Sequence, residues 1–197
     1  MRELSLHILD IAENGVTAGA DCIQILVEEV HRDDHLKIVI QDNGSGLPPE
    51  KRDKLTDPFV TTRTTRRVGL GLPLLAAAAQ RCNGDFKVTS EAHKGTRVVA
   101  TFQFNHIDRA PLGDIASTIT TLIMGNSDID FVYTHTIDQR EFNLDTREIK
   151  AQMEDLSLSD PLVIHQLTKT IRTSLHRLES DNGELESKEA NNGKADN

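Results

Sequence analysis

Hydrophobic residues near the start of the chain recur at helical spacing and then change to strand-like alternation. Leu4, Leu6, Ile8, Leu9 and Ile11 form an apolar stripe that predicts a helix ending near Gly15 or Gly19. Residues 22–30 (CIQILVEEV) and 36–41 (LKIVIQ) read as two strands, with His31-Arg32-Asp33-Asp34-His35 as the hairpin loop between them. A glycine- and proline-punctuated loop occupies residues 42–49. Residues 72–81 (LPLLAAAAQR) predict an alanine-rich helix that tolerates Pro73 in its first turn and stops at Asn83-Gly84. Residues 86–90 and 97–104 alternate as strands around a turn at Lys94-Gly95. The order is helix, two strands, loop, helix, two strands, which suits a sheet covered by helices on one face.

A second segment starts near Asn105. Pro111-Leu112-Gly113-Asp114 opens a helix carrying Ile115, Ile119, Leu122 and Ile123 at helical spacing, and Gly125-Asn126 stops it. Residues 129–135 and 140–144 read as short strands. Asp145 followed three residues later by Glu148 resembles a capping box for a short helix. Asp160-Pro161 opens a final helix with Ile164, Leu167, Ile171, Leu175 and Leu178 on one face. The polar run over 180–197 is expected to be disordered. The division is therefore 1–105, 106–179 as a small α/β accessory domain, and a tail over 180–197.

Composition removes several classes of function. A net charge of −9 argues against a nucleic-acid surface. No apolar run approaches the roughly 18 residues that span a bilayer. Arg2, Glu3, Asp10 and Glu13 break up any signal-peptide pattern, so a cytoplasmic protein is expected. Cys22 and Cys82 form neither a disulfide framework nor a metal-spacing pair, and read as reduced thiols. His31 and His35 have zinc-helix spacing but stand in a predicted hairpin without the accompanying glutamate.

The chemistry is carried by short boxes in a fixed order. Asp42-Asn43-Gly44-Ser45-Gly46 follows a strand, and a helix bearing Asp10 and Asn14 precedes it. Asp57-Pro58-Phe59-Val60-Thr61-Thr62-Arg63, Gly69-Leu70-Gly71-Leu72 and Gly95-Thr96 come after it. A carboxylate on a glycine loop can accept a hydrogen bond from an adenine amino group. A guanine carbonyl there would oppose two acceptors, a mismatch costing about 1–3 kcal/mol when buried. Gly44 and Gly46 let the backbone approach the base plane. Glycines ahead of a helix N-terminus, as at Gly69 to Leu72, suit an anion. No Gly-Lys-Ser/Thr follows, so this is no Walker loop.

Taken together the boxes resemble the ATP-binding domain of the GHKL superfamily, which holds gyrase, the MutL mismatch-repair proteins, histidine kinases and anti-sigma-factor kinases. The resemblance covers residues 1–105 and implies an α+β, two-layer sandwich of the histidine-kinase ATPase type. It implies ATP as ligand, with Asp42, Gly44, Gly46, Gly95 and Thr96 at the adenine. It also implies Asn14 as a ligand of Mg²⁺, and Gly69, Leu70, Gly71 and Leu72 at the phosphates. The stretch 57–68 is similar to the short lid of histidine kinases, with Phe59 as its anchor and Thr62 and Arg63 facing phosphate. The first box is most similar to the MutL type, where a glutamate four residues before the asparagine activates water. Asp10 stands there in this chain. It is one methylene shorter, and a displacement of about 1 Å can cost on the order of 100-fold in rate, so hydrolysis is expected to be slow or to need a partner that adjusts the geometry. Glu13 points about 100° away around the helix and reads as a surface group. His7 shares the face of Asn14 and reads as a packing histidine, with a phosphate contact or phosphoryl acceptor as the alternative.

Three functions stay open on the sequence. The first is a signalling kinase that passes the γ-phosphoryl to a protein partner. The second is a slow ATPase switch of the MutL type, and the third is a non-catalytic ATP sensor. The ATP domain begins at residue 1 with no helix pair bearing an acceptor histidine before it, so a complete sensor kinase is not expected. Residues 106–179 are assigned to homodimer formation, target binding or a substrate site.

Overall fold

The computed structural model describes residues 3–47, 71–153 and 157–192, with side chains described as far as Ser180. Along the chain come helix α1 (Leu4–Thr17), strand β1 (Cys22–Val30), a 3-10 turn (His31–Asp33) and β2 (His35–Asp42). Next are α2 (Gly71–Arg81), β3 (Phe86–Glu91), β4 (Gly95–Gln103) and α3 (Ile115–Gly125). Strands β5 (Asp130–Ile137) and β6 (Arg140–Asp145) and helices α4 (Thr146–Gln152) and α5 (Pro161–Asn192) complete the order. The expected two-layer α+β architecture is the one observed.

All six strands form one mixed sheet in the order β3-β4-β2-β1-β5-β6. Alternation decides which face is covered. Ile23, Ile25 and Val27 of β1, Leu36, Ile38 and Ile40 of β2, and Val98, Ala100 and Phe102 of β4 are buried, while their odd-numbered or even-numbered neighbours turn the other way. These residues join Leu4, Ile8, Ile11, Leu75, Ala79, Ile119, Leu122, Ile123 and Ile171 of the helices in one core. Phe102, Phe131 and Tyr133 are enclosed almost completely, each worth about 1.5–3 kcal/mol of burial. No helix among the described residues is long and apolar enough to cross a membrane.

The expected boundary near Asn105 falls inside this sheet. Strand β5 lies parallel to β1, from Cys22 opposite Asp130 to Glu29 opposite Ile137, so residues 106–179 extend the first segment's own sheet. The reason is an edge. Without β5, the outer row of β1 amides and carbonyls would have no ladder partner. A parallel neighbour needs a crossover, and α3 supplies it against the face already occupied by α1. The segment also caps α1: the Leu4 and Ser5 amides donate to the Pro111 and Leu112 carbonyls at 3.0 and 2.8 Å. Asp145 caps α4 by accepting from the Arg147 amide at 2.9 Å. Helix α5 continues to Asn192, so residues 180–192, expected to be disordered, are helical instead. Glu184, Leu185, Glu186, Lys188, Glu189 and Ala190 are strong helix formers, and the polarity of the run outweighed that propensity in the sequence reading.

Far from the glycine loop, β1 and β5 share a buried polar chain. The Tyr133 hydroxyl lies 2.7 Å from His135 Nδ1, and His135 Nε2 lies 3.0 Å from Glu29 Oε1. The other Glu29 oxygen meets His31 Nε2 at 3.2 Å. Burial pushes the Glu29 carboxyl upward, but hydrogen bonds from His135 and His31 outweigh it and the net direction is down. The stability this carboxylate contributes is therefore full above its ordinary 4.5 and is lost as pH falls through its lower folded value. Glu29→Ala leaves the buried His135 N–H without its acceptor. It should lower the unfolding free energy at neutral pH by about 1–3 kcal/mol, read as a urea midpoint shift at unchanged slope. An unmoved midpoint would show that the chain of groups stabilises nothing.

Candidate functional site

The register of three strands builds the site's first half. Asp42 pairs with Thr96, and Thr96 pairs with Ser90, so these three side chains form one row at the end of the sheet on the helix-covered face. Asp42 Oδ1 accepts from the Gly44 amide at 2.9 Å and from the Thr96 amide at 3.3 Å. Asp42, Ser90, Gly95 and Thr96 line a cavity of about 380 Å³. A roomier cavity of about 500 Å³, lined by Asp34, Gly84 and Gln103 among others, lies at the opposite end of β2 and β4 and has none of these groups.

The loop after Asp42 is held from two sides. On the α1 side, the Ser45 amide donates to the Ala18 carbonyl at 2.9 Å. Asn43 Oδ1 there accepts from the Asp21 and Cys22 amides at 2.9 and 3.0 Å. On the β3–β4 side, the His93 amide donates to the Ser45 carbonyl at 2.7 Å, and the Leu47 amide donates to Ser90 Oγ at 2.8 Å. Gly95 makes this junction. Its φ of 87° is left-handed, and a Cβ there would fall 1.9 Å from the Asp42 carbonyl oxygen. Gly44 and Gly46 face the Ala18 and Glu91 carbonyls in the same way, at 2.9 and 2.0 Å from an added Cβ.

Helix α1 supplies the second half. Gly15 lets it close on the sheet end, since a Cβ there would stand 2.9 Å from Asp42 Cβ. Asn14 is half-buried beside that contact, Asp10 lies one turn earlier, and Glu13 is exposed as expected. The Asp10 side chain abuts Gly71 at the start of α2, where an added Cβ would be 3.1 Å from Asp10 Cβ and 3.3 Å from Oδ2. Leu72 sits in the same first turn and packs on the core. Helix α1 thus meets Asp42, the strand partner of Thr96, at Gly15 and meets Gly71 at Asp10, with Asn14 between these contacts along the helix. Phe59, Thr62, Arg63, Gly69 and Leu70 lie outside the described residues.

His7 is 3% exposed, and its Nδ1 has no hydrogen-bond partner. Burial pushes the ring's pKa down, against the pull of the Asp10 charge and the Gly71 backbone. It lies in the α1–α2 contact, which agrees with the packing reading. Among the described residues there is no cluster of three or more side chains that could hold a metal ion.

Ser90 and Gly15 were missed in the sequence. Ser90 had a usable signal, because strand alternation across the Lys94-Gly95 turn places it and Thr96 on one face. Gly15 had none, since its role is a helix-to-strand approach between residues far apart in the sequence.

Residues 2–106 match the family of histidine kinase-, DNA gyrase B-, and HSP90-like ATPases. The chain belongs to that family. Among relatives of this ATPase segment is Sporulation kinase C of Bacillus subtilis (strain 168), 30% identical over 94 residues, which are 48% of this chain and 22% of the relative. A putative NtrY-like sensor histidine kinase of Rickettsia conorii is 25% identical over 108 residues, 55% of this chain and 18% of its own length. The chain therefore spans about a fifth of the length of these histidine-kinase-like relatives. A solved N-terminal domain of a DNA repair protein shares the fold, with a TM-score of 0.54 at 17% identity over 80% of this chain and 55% of that one. That coverage exceeds residues 2–106, so the shared fold includes part of the segment carrying β5 and β6.

Because the folded His7 pKa is lowered, its contribution to stability is full above the ordinary value of 6.5 and is lost as pH falls toward the folded one. His7→Leu should therefore lose less melting temperature than the parent between pH about 7.5 and about 5.5. Equal losses in the two proteins would place the titration elsewhere.

Proposed function

We propose that this ATPase-family chain binds ATP with Mg²⁺ and transfers the γ-phosphoryl group to a protein partner. The observation that carries this is the arrangement around α1, where the Asp42–Thr96 pair lies at one end of a run that continues through Asn14 and Asp10 to Gly71. Asp42 takes the adenine amino group as a carboxylate acceptor, and Thr96 and the Gly44, Gly46 and Gly95 backbone border the base. Gly71 and Leu72 present the N-terminus of α2 to phosphate, where its open amides and dipole favour negative charge.

The donor set fits magnesium. Asn14 offers a hard amide oxygen and Asp10 a carboxylate one turn away, and the ion commonly takes only one or two protein ligands beside phosphate and water. When bound, it neutralises charge on the transferring phosphoryl group. Asn14 would hold it. Asp10 is the candidate general base, accepting the proton of the attacking hydroxyl or water. Phe59, Thr62, Arg63, Gly69 and Leu70 are proposed to complete the phosphate side. Relatives named as kinases support transfer to a protein, and any role of residues 106–179 in homodimer formation belongs to the same proposal.

A second reading, a slow ATPase switch, is favoured by one observation: Asp10 stands four residues before Asn14 and abuts Gly71 at the start of α2. Incubation with γ-labelled ATP and Mg²⁺, with and without host lysate, separates the readings. Label on a protein is the expected result. Free phosphate that disappears in Asp10→Asn would replace transfer by the switch, and binding without either product would leave a sensor. Asp42→Asn should weaken ATP binding at least tenfold by calorimetry, since the carboxylate acceptor becomes an amide. Unchanged affinity would overturn the adenine assignment.

A further inference from the structure

Ser90 is 6% exposed, and its hydroxyl oxygen has three polar neighbours. It accepts from the Leu47 amide at 2.8 Å, lies 3.1 Å from the Gly95 carbonyl oxygen and 2.9 Å from Thr96 Oγ1. A serine hydroxyl has one proton. The Gly95 carbonyl can only accept, so satisfying that contact assigns the Ser90 proton to it. The third contact then needs a proton from Thr96. In the arrangement that satisfies all three, Thr96 donates to Ser90 and keeps only lone pairs for the cavity.

The neighbouring group has the same polarity. Both amide donors to Asp42 use Oδ1, which leaves Oδ2 as an acceptor. Among the described residues, the Asp42–Thr96–Ser90 row therefore offers acceptors side by side, with both of its hydroxyl protons already engaged. A ring amino group, with its two hydrogens, matches this. A ring carbonyl in the same place meets lone pairs on both sides.

We propose that Ser90 is a specificity-setting positioning residue: by holding the Thr96 proton, it makes the site select a 6-aminopurine nucleotide over a 6-oxopurine one. The proposal rests on Asp42 being the adenine end of the site. It differs from that assignment in giving the selectivity to a side chain that does not touch the base. Removing the Ser90 hydroxyl frees Thr96 to turn its proton toward a carbonyl, so discrimination falls even though Asp42 and Thr96 remain.

The test is the ratio of ATP to inosine triphosphate affinity, measured by calorimetry on the full chain. The parent should prefer ATP. Ser90→Ala should reduce that preference about tenfold, and Ser90→Thr, which keeps a hydroxyl, should restore most of it. Loosening of the 42–47 loop alone would weaken both nucleotides alike, so a Ser90→Ala protein with the parental ratio overturns the proposal and leaves the adenine assignment intact. If Ser90→Ala does not fold, Ser90→Cys, which keeps the shape and replaces the hydroxyl by a weakly hydrogen-bonding thiol, gives the same reading: it should lower the preference for ATP over inosine triphosphate. An equal loss of both overturns the proposal. A parent that binds the two nucleotides equally, or an Asp42→Asn protein with full ATP affinity, overturns the underlying assignment instead.

Discussion

Helix α1 can reach the end of the sheet only because Gly15 carries no side chain where Asp42 Cβ stands. A methyl group at that point would lie 2.9 Å from it, and real carbon contacts of that length do not occur. The approach has consequences in both directions along the helix. Toward its C-terminus, the Ala18 carbonyl takes the Ser45 amide and fixes the loop that follows Asp42. Toward its N-terminus, Asp10 is brought against Gly71 and so against the first turn of α2. One helix-to-strand distance therefore sets the spacing between the carboxylate proposed for the base and the groups proposed for phosphate.

The other end of α1 ties the site to the rest of the chain. Its first amides are satisfied by the carbonyls of Pro111 and Leu112, just before α3 crosses over to place β5 beside β1. Loss of the later segment would expose α1's unsatisfied donors and the edge of β1 together. The added strands are thus part of the same folded unit as the site. The Tyr133–His135–Glu29 chain joins β5 to β1 at the end of the sheet farthest from Asp42, where a change in protonation acts on strand pairing with no direct contact to the site.

Much of this was legible in the sequence because it depends on local pattern. Apolar period decided helix or strand for α1, β1, β2 and α2, and the order of boxes pointed to the ATPase family. What the pattern could not express was partnership at a distance. The stretch 129–135 reads as a strand from its own residues, but nothing in them says that it pairs with residues 22–29. That pairing follows from the unfilled edge of β1, a property of the assembled sheet. Polarity misled the reading of 180–192 for a related reason: the run is polar throughout, yet its middle, Glu184 to Ala190, holds mostly good helix formers. At the site, Asp42, Asn14 and Gly95 stand out by residue type, whereas Ser90 is visible only through the register that sets it beside Thr96.

The two ends of the proposed site differ in how firmly the fold determines their chemistry. At the end proposed for the base, Asp42 Oδ1 and Ser90 Oγ are constrained by backbone groups that cannot change role. The Gly44 and Thr96 amides only donate, and the Gly95 carbonyl only accepts, so the direction of each hydrogen bond is forced by covalent structure. At the end proposed for phosphate, Asp10 and Asn14 stand one turn apart on α1, and Asp10 abuts Gly71. In the proposed reading, the choice of base rests on the sheet, while the chemistry at phosphate rests on side chains of a single helix.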